Sequence, residues 1–160
     1  MQEVVADIFA ASGLYSIFYL SSDIDAWCIT TNGFRKSNGH AVMGAGIAKS
    51  ASTVWPEMPM QLGRSIGVYG NVVSTFLYLV PGTSRMITVV AFPVKHKWWE
   101  VADLELIRQS AHQLVKLTTK LGWRKVVLPR PGAGNGKLEW AQVKEVIEPI
   151  LDGRFIIVTI

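Results

Sequence analysis

The chain has 160 residues, of which 49% are hydrophobic and 18% charged, a composition that excludes a disordered protein and is typical of one globular domain. The formal net charge is +4 and the pI is near 9.3, which suits an anionic partner. Lys and Arg form no dense stripe, however, so charge alone does not predict nucleic-acid binding. Cys28 is the single cysteine, so no disulfide can form within the chain and a reducing compartment is expected.

The first third of the chain predicts two strands. One is the short segment "QEVV", and the other is "AWCITT" (Ala26–Thr31), whose β-branched and aromatic residues predict a buried strand. The opening segment "MQEVVADIFAASG" carries acids and no basic flank, so we expect no signal peptide and a cytoplasmic protein.

A glycine-rich segment, "TNGFRKSNGHAVMGAGIAKSA" (Thr31–Ala51), follows the second strand, and we predict that a helix begins at Gly46. The standard nucleotide motifs do not match it. Gly39 and Gly44 have the spacing of a Walker loop, but Ala45 stands where Lys is required. A dinucleotide fingerprint fails because Lys49 stands in place of the third glycine.

The middle of the chain predicts a helix and a pair of strands. Prolines suit the start of the helix in "PEMPMQLGRSIGVYGN", and Gly70-Asn71 ends it. We predict strands at Val72–Val80 and Met86–Phe92, around the turn "PGTS". This turn and Arg85 interrupt the apolar stretch, so it is too broken to span a membrane.

The last third predicts two amphipathic helices, each followed by a strand. Asp103–Leu121 is the clearest helix, with Asp103 as its cap and Gly122 as its stop. We expect its buried face to comprise Ile107, Ala111, Leu114, Val115, Thr118 and Leu121. The strand "KVVLP" precedes a helix over Leu138–Leu151, and "RFIIVTI" is the final strand. In that helix we expect Trp140, Val143, Ile147, Ile150 and Leu151 to point inward, and Pro149 to disturb the last turns.

This alternation predicts an α/β sandwich, with helices on both faces of the sheet, formed by residues 1–160 as one domain. In such sheets ligands bind beyond the carboxyl ends of the strands. Two glycine-rich loops lie at such ends, Asn32–Gly46 and Arg130–Trp140. Each leads into a helix, so each can offer unpaired N–H groups and a positive dipole end to an anion. Two such loops facing each other suit a diphosphate.

Five segments, in this order, resemble the macrodomain family, which binds ADP-ribose. They are "ADIF", "ITTN", "MGAGIA", "FPVKHKWW" and "LPRPGAGNGKLEW". The resemblance covers nearly the whole chain and implies a three-layer α/β/α sandwich with a central mixed sheet. It is nearest to the branch that includes terminal ADP-ribose protein glycohydrolase and the antitoxin macrodomains that remove ADP-ribose from DNA.

The resemblance implies a set of ligand contacts. Asp7 would accept the adenine amino group and the Ile8 N–H would serve the ring, although a turn or cap aspartate is the ordinary alternative. Asn32 would face the distal ribose, although Asn32-Gly33 also predicts a turn. The diphosphate would lie between Gly44, Ala45, Gly46 and Ile47 on one side and Gly132, Ala133, Gly134, Asn135 and Gly136 on the other. Arg130 and Lys137 can add positive charge.

Lys95 decides the chemistry, because the resemblance implies a lysine amine that attacks the anomeric carbon of the distal ribose. Such an amine needs a lowered pKa, and His96 and Lys97 are candidates for the nearby charge. A solvated basic turn is the alternative for "KHK". Trp98 and Trp99 adjoin it and can flank a ligand, stack a base or pack.

Two departures narrow the comparison within the family. The protein glycohydrolase has an Asp where this chain has Gly136, and the DNA-directed enzymes have glycine there. Ala48 stands where the mono-ADP-ribosylhydrolase branch has Asp, so that mechanism is not supported.

We therefore predict that the chain binds ADP-ribose, or a protein or nucleic acid that carries it, and hydrolyses the linkage with Lys95 and Asn32. A phosphatase acting on ADP-ribose 1″-phosphate and a reader module without catalysis are the alternatives. We expect a monomer with no cofactor, no metal and no membrane contact.

Overall fold

The structure, a computed structural model, describes residues 1–6, 8 and 22–159. The strands are β1 (Gln2–Val5), β2 (Ala26–Asn32), β3 (Ser74–Leu79), β4 (Met86–Lys95), β5 (Val126–Pro129) and β6 (Phe155–Thr159). The helices of the described ranges are α1 (Gly46–Val54), α2 (Met58–Tyr69), α3 (Leu104–Leu121) and α4 (Trp140–Ile147).

The strands form one mixed sheet in the order β1-β6-β5-β2-β4-β3. The pairs from β1 through β4 are parallel, and β3 joins β4 as an antiparallel edge strand. Parallel strands place their carboxyl ends at one edge of the sheet, so the loops after β2, β4 and β5 meet there, beside the end of β6. This arrangement is the mixed-sheet α/β/α sandwich that the sequence predicts.

Helices cover both faces of the sheet, and alternate residues of the strands fill the two cores. Trp27 and Ile29 of β2 belong to the core that contains residues of α1 and α2. Ala26 and Cys28 belong to the other core, under α3 and α4. Central strands that are buried on both faces explain why the strand sequences are continuously apolar.

The helix ends show how local sequence sets the fold. The Asp103 carboxylate accepts hydrogen bonds from the backbone N–H groups of Glu105 and Leu106, and Gly122 ends α3 in the left-handed conformation. Both features match the predicted cap and stop. Leu121 is 50% exposed, so its predicted inward orientation is wrong: it is the last residue of α3, directly before the Gly122 cap.

Two predicted elements differ most from the structure in their boundaries. Strand β4 continues to Lys95 instead of ending at Phe92, so the lysine stands on the sheet itself. Helix α4 spans Trp140–Ile147, which is shorter than the predicted Leu138–Leu151. Pro149 explains its early end, because a proline interrupts the backbone hydrogen bonds of a helix.

Candidate functional site

A cavity of about 950 Å³ opens at the carboxyl edge of the sheet. The last residues of four parallel strands line it, namely Asn32, Lys95, Pro129 and Thr159. Its volume is at the upper end of the range usual for small-molecule sites. The cavity therefore lies where an open α/β sheet is expected to bind a ligand.

The ends of β2 and β4 bring Asn32 and Lys95 together. Thr31 pairs with Pro93, and a register shift in the next step places Asn32 opposite Lys95. Proline supplies no backbone N–H, which is why it occurs in sheets at irregular positions of this kind. The Ser110 hydroxyl donates to the Pro93 carbonyl at 2.7 Å and so binds the irregular strand to α3.

The Asn32 side chain fixes the start of the first loop. Its Nδ2 donates to the Val42 carbonyl at 3.0 Å, and its Oδ1 accepts from the Phe34 N–H at 3.0 Å. Asn32 therefore forms the turn that the Asn-Gly pair predicts and also lines the cavity. An amide has a second donor hydrogen and a second lone pair, so these bonds leave capacity for a ligand.

The Lys95 ammonium is partly buried in the cavity wall. Its Nζ donates to the Asn135 carbonyl at 2.8 Å and to the Trp98 carbonyl at 3.4 Å. Loss of solvation lowers the pKa of Lys95, and the positive charge of Lys137 lowers it further. His96 and Lys97 do not account for this shift: His96 hydrogen-bonds Asp103 at 2.9 Å, and the Lys97 Nζ lies 5.5 Å from the Trp99 ring centroid.

Two residues that the sequence did not single out support the Lys95 backbone. The Asn71 Nδ2 donates to the Lys95 carbonyl at 2.9 Å, and the Gly33 N–H donates to the same carbonyl at 3.1 Å. A Cβ on Gly33 would lie 2.6 Å from the Asn71 side chain. Asn71 and Gly33 thus form one packed unit behind the lysine.

The first glycine-rich loop, residues 33–46, leads into α1. The predicted residues Gly44, Ala45, Gly46 and Ile47 all line the cavity. Ala45 caps α1 without any side-chain hydrogen bond, so its side chain satisfies none of the first N–H groups of the helix, which lie at the cavity as donors. A Cβ on Gly44 would meet nothing within 4 Å.

The second glycine-rich loop, residues 130–139, lies across from the first. Gly132, Ala133, Gly134, Asn135 and Gly136 all line the cavity, as predicted. Within the described part of the chain, the N–H groups of Gly134, Asn135 and Gly136 donate no hydrogen bond. The loops come so close that a Cβ on Gly46 would lie 2.6 Å from Asn135 Nδ2.

The charges on the cavity wall favour an anion. Lys95, Arg130 and Lys137 line it, and Glu139 is the only acidic residue among the described residues that do so. Arg130 pairs with Glu3 at 3.5 Å, and its guanidinium lies 4.9 Å from the Trp140 ring centroid. Glu139 and Thr159 also line the cavity, although the sequence did not predict them as site residues. Both positions follow from the fold, because one lies in a loop at the carboxyl edge of the sheet and the other ends a parallel strand.

The predicted adenine contacts of the Asp7 carboxylate and the Ile8 N–H stay predictions. Asp7 lies outside the described residues. Ile8 is fully buried in the core that contains α1 and α2 and is not among the described residues that line the cavity. Cys28 is also buried, and its burial raises the pKa of its thiol, so it packs in the core as a small apolar residue.

Neither a metal-binding cluster nor a membrane-spanning helix is found within the described ranges. Those residues contain no group of three or more His, Cys, Asp or Glu side chains that could hold a metal ion. The helices described above are all too short or too polar to cross a membrane.

This fold and cavity define a ligand-binding α/β/α sandwich, and comparison with known proteins identifies its family. The family model described as Macro domain matches residues 36–147, which is more than half of the chain. The protein therefore belongs to the macrodomain family.

The relatives in sequence and structure agree with this assignment. A DNA ADP-ribosyl glycohydrolase of Thermus aquaticus is 27% identical over 126 residues, which cover 72% of this chain and 32% of that protein. The chain thus spans about a third of the length of this curated relative. The macrodomain of Thermus aquaticus DarG superposes with a TM-score of 0.69 at 25% identity, covering 99% of this chain and 97% of that one.

A third comparison extends the likeness in fold. A structure described as Thermosipho africanus DarTG in complex with ADP-ribose matches with a TM-score of 0.70 at 17% identity, covering 86% of this chain and 38% of that one. At this identity the match shows a shared fold.

Proposed function

We propose that the cavity binds ADP-ribose and that the protein hydrolyses the bond between the distal ribose and a macromolecule that carries it. The observation that carries this proposal is the placement of Lys95. The lysine stands opposite Asn32 at the strand ends, between two loops that offer free backbone N–H groups. A nucleophile, a ribose-binding amide and an anion cradle thus share one cavity.

The two loops support binding of the diphosphate. Unpaired N–H groups and the positive end of α1 attract an anion on one side, and the N–H groups of Gly134, Asn135 and Gly136 do so on the other. Arg130 and Lys137 add positive charge around them. Gly44 and Gly134 have no neighbours among the described residues that would hinder a side chain, so their lack of one leaves room for the ligand.

The chemical step begins with Lys95 as a neutral amine. Its Nζ attacks C1″ of the distal ribose, a C–N bond forms, and the bond from C1″ to the carrier breaks. The carrier leaves with the electron pair and takes up the proton that the amine loses. The ribose ring of this adduct opens as the C1″–O4″ bond breaks and the remaining nitrogen proton moves to O4″, which gives a Schiff base. Water then hydrolyses the Schiff base, which releases ADP-ribose and restores the amine. The lowered pKa of Lys95 raises the fraction of neutral amine.

The carrier that we propose is nucleic acid. The Thermus aquaticus relative is named as acting on DNA ADP-ribosyl groups, and this chain shares with DNA-directed macrodomains a glycine at position 136. A Cβ on Gly136 would lie 2.4 Å from the Gly132 carbonyl oxygen, so the loop has no room for the aspartate of the protein-directed enzyme.

A reader module without catalysis is the second candidate, and two observations favour it. Position 136 provides no acid to assist the lysine. The carbonyl groups of Asn135 and Trp98 also accept hydrogen bonds from Nζ and stabilise its charged form. Under this alternative, Lys95 binds the ligand as a cation.

Calorimetry and a substrate panel test the proposal. ADP-ribose is titrated into wild type, Lys95→Ala and Lys95→Arg. The same proteins are incubated with ADP-ribosylated single-stranded DNA, ADP-ribosylated protein and ADP-ribose 1″-phosphate. Lys95→Arg is the matched variant, because arginine keeps the positive charge and cannot supply a neutral amine. Borohydride is added during turnover to reduce a lysine adduct to a stable amine.

We expect wild type to bind ADP-ribose and to cleave the DNA substrate, and both variants to lose at least about a hundredfold in rate. Borohydride should attach ADP-ribose to Lys95, as read by mass spectrometry. Full activity of Lys95→Arg would exclude Lys95 as the nucleophile. Tight binding of ADP-ribose by a wild type that leaves every substrate intact would establish that the protein is a reader module. Cleavage of ADP-ribose 1″-phosphate alone would establish the phosphatase.

The remaining expectations stay predictions. Asp7→Ala should weaken ADP-ribose binding if this carboxylate accepts the adenine amino group, and the same calorimetry measures it. Light scattering of the eluted protein tests the expected monomer, and the cytoplasmic location awaits a test in cells.

A further inference from the structure

Three aromatic side chains form a surface at the mouth of the cavity, which we call the aromatic lip: Phe34, Trp98 and Trp99. The Trp98 and Trp99 ring centroids are 5.3 Å apart at an interplanar angle of 84°. The Trp99 ring lies 5.3 Å from Phe34 at 67°. Trp98 also lines the cavity, and its carbonyl accepts from Lys95. The lip is therefore continuous with the proposed reaction centre.

The lip leaves large apolar faces in water. Trp98 is 53% exposed and Trp99 is 54% exposed, whereas indole rings are well buried in most proteins. Edge-to-face contacts hold the rings in place, so a partner meets a surface that loses little entropy on binding. Adjacent exposed rings of this kind mark an interaction site more often than a packing defect.

Basic residues adjoin the lip in the sequence and favour an anionic partner. Arg35 and Lys36 follow Phe34 and are exposed. The Lys97 Nζ lies 5.5 Å from the Trp99 ring centroid. Glu100 is the nearby acid in sequence, and the Asp103 carboxylate is occupied by His96. The balance favours an anionic chain that also presents flat faces.

We propose that the aromatic lip stacks an unpaired base of a single-stranded nucleic acid, next to the nucleotide whose ADP-ribose enters the cavity. Bases stack on aromatic side chains whatever their sequence, while Lys and Arg contact the phosphates. A paired base has no free face to offer, so the lip selects single strands over duplexes. This inference rests on the proposed function, because the modified nucleotide must reach Lys95.

Binding measurements in a catalytically disabled protein test the lip. In a Lys95→Ala background, fluorescence anisotropy measures the affinity for a single strand of about ten nucleotides that carries one ADP-ribosyl group. Trp99→Ala removes the outer ring, and Trp99→Phe is the matched variant that keeps an aromatic face. The same proteins are titrated with free ADP-ribose, with an ADP-ribosylated peptide and with the modified strand annealed to its complement.

We expect Trp99→Ala to weaken binding of the modified single strand about tenfold, and Trp99→Phe to restore most of the loss. Free ADP-ribose should bind all variants alike, and the duplex should gain nothing from Trp99. If Trp99→Ala weakened the binding of free ADP-ribose equally, Trp99 would contact the ADP-ribose itself, and the inference would be overturned. An equal effect on the peptide, or no effect on the single strand, would overturn the inference. Failure of ADP-ribose itself to bind would refute the proposed function instead.

Discussion

The two glycine-rich loops look alike in the sequence, but their glycines have different structural roles. In the second loop, a Cβ on Gly136 would lie 2.4 Å from the Gly132 carbonyl oxygen. Gly132 itself has a φ of 74° and is packed against Ile107. In the first loop, Gly44 has no left-handed φ, and its surroundings are open.

This difference separates glycines that fold a loop from glycines that leave room for a ligand. The second loop closes on itself, since the Leu138 N–H donates to the Gly132 carbonyl at 2.9 Å. It is also bound to the segment before α3, because the Ala102 N–H donates to the Gly136 carbonyl at 2.9 Å. Gly132 and Gly136 are therefore required by the chain. Nothing within the described chain requires Gly44, so its glycine is best explained by what enters the cavity.

Among the loop glycines, the largest effect should come from Gly136→Ala. The added Cβ meets backbone, which cannot rotate away, so the loop must open at a cost of about 2–3 kcal/mol of unfolding free energy. The N–H groups of the loop then lose their common direction, and ADP-ribose affinity should fall more than about tenfold. Thermal unfolding and calorimetry measure the two effects.

Gly134→Ala is the matched control within the same loop. Gly134 has open space around it and no left-handed φ, so this substitution should leave thermal stability unchanged. If Gly136→Ala were as stable as Gly134→Ala, the contact between Gly136 and Gly132 would not lock the loop.

In the first loop, Gly44→Ala should weaken ADP-ribose binding without lowering the stability of the fold. Its stability should equal that of wild type, because the methyl group meets no atom of the residues that the structure describes. Its ADP-ribose affinity should fall about tenfold, since the methyl occupies space that the diphosphate needs. Gly153→Ala, an equally open glycine outside the cavity, should change neither quantity. Unchanged affinity of Gly44→Ala would remove Gly44 from the binding surface.

Asn71→Ala tests the support behind the lysine and should lower the rate of hydrolysis about fivefold. Loss of the hydrogen bond to the Lys95 carbonyl lets the end of β4 move, and small displacements of a nucleophile reduce the rate. We expect kcat to fall while KM for the modified strand stays constant. The assay runs well below the melting temperature, so a modest loss of stability leaves the protein folded. A change in KM alone would assign Asn71 to binding.

Much of the sheet and of both loops is predictable from the sequence, for local reasons. The continuous apolar runs of β2 and β5 predict burial, and glycines after strands predict loops at the carboxyl edge. Asp103 and Gly122 mark the ends of α3 through their own side-chain and backbone properties. These features depend on residues that are neighbours in the chain.

The remaining features depend on contacts between distant residues. The pairing of Asn32 with Lys95 needs a register shift beside Pro93, which no local pattern reveals. Asn71 reaches Lys95 only because α2 returns to the same edge of the sheet. For the same reason, the charge that acts on Lys95 belongs to Lys137 in the other loop, and not to the adjacent His96 or Lys97.

The smallest effect that we predict comes from Lys137→Asn, which changes the pKa of Lys95 from the second loop. If the neutral amine is the nucleophile, the rate of hydrolysis rises with pH up to the pKa of Lys95. Lys137→Asn removes the like charge and so raises that pKa, which moves the rising limb to higher pH. At a fixed pH on this limb the rate should fall no more than about threefold, because solvent and salt screen the two charges. Asn is chosen because position 137 has a φ of 61°, which Asn tolerates well.

Single-turnover rates at saturating substrate, measured across pH, check this prediction. Lys97→Gln is the matched control, since that charge does not act on the pKa of Lys95, and it should leave the midpoint of the limb in place. High salt should narrow the gap between Lys137→Asn and wild type. A midpoint that moves with Lys97→Gln and not with Lys137→Asn would place the relevant charge in the segment that follows β4. The second loop would then serve the diphosphate alone.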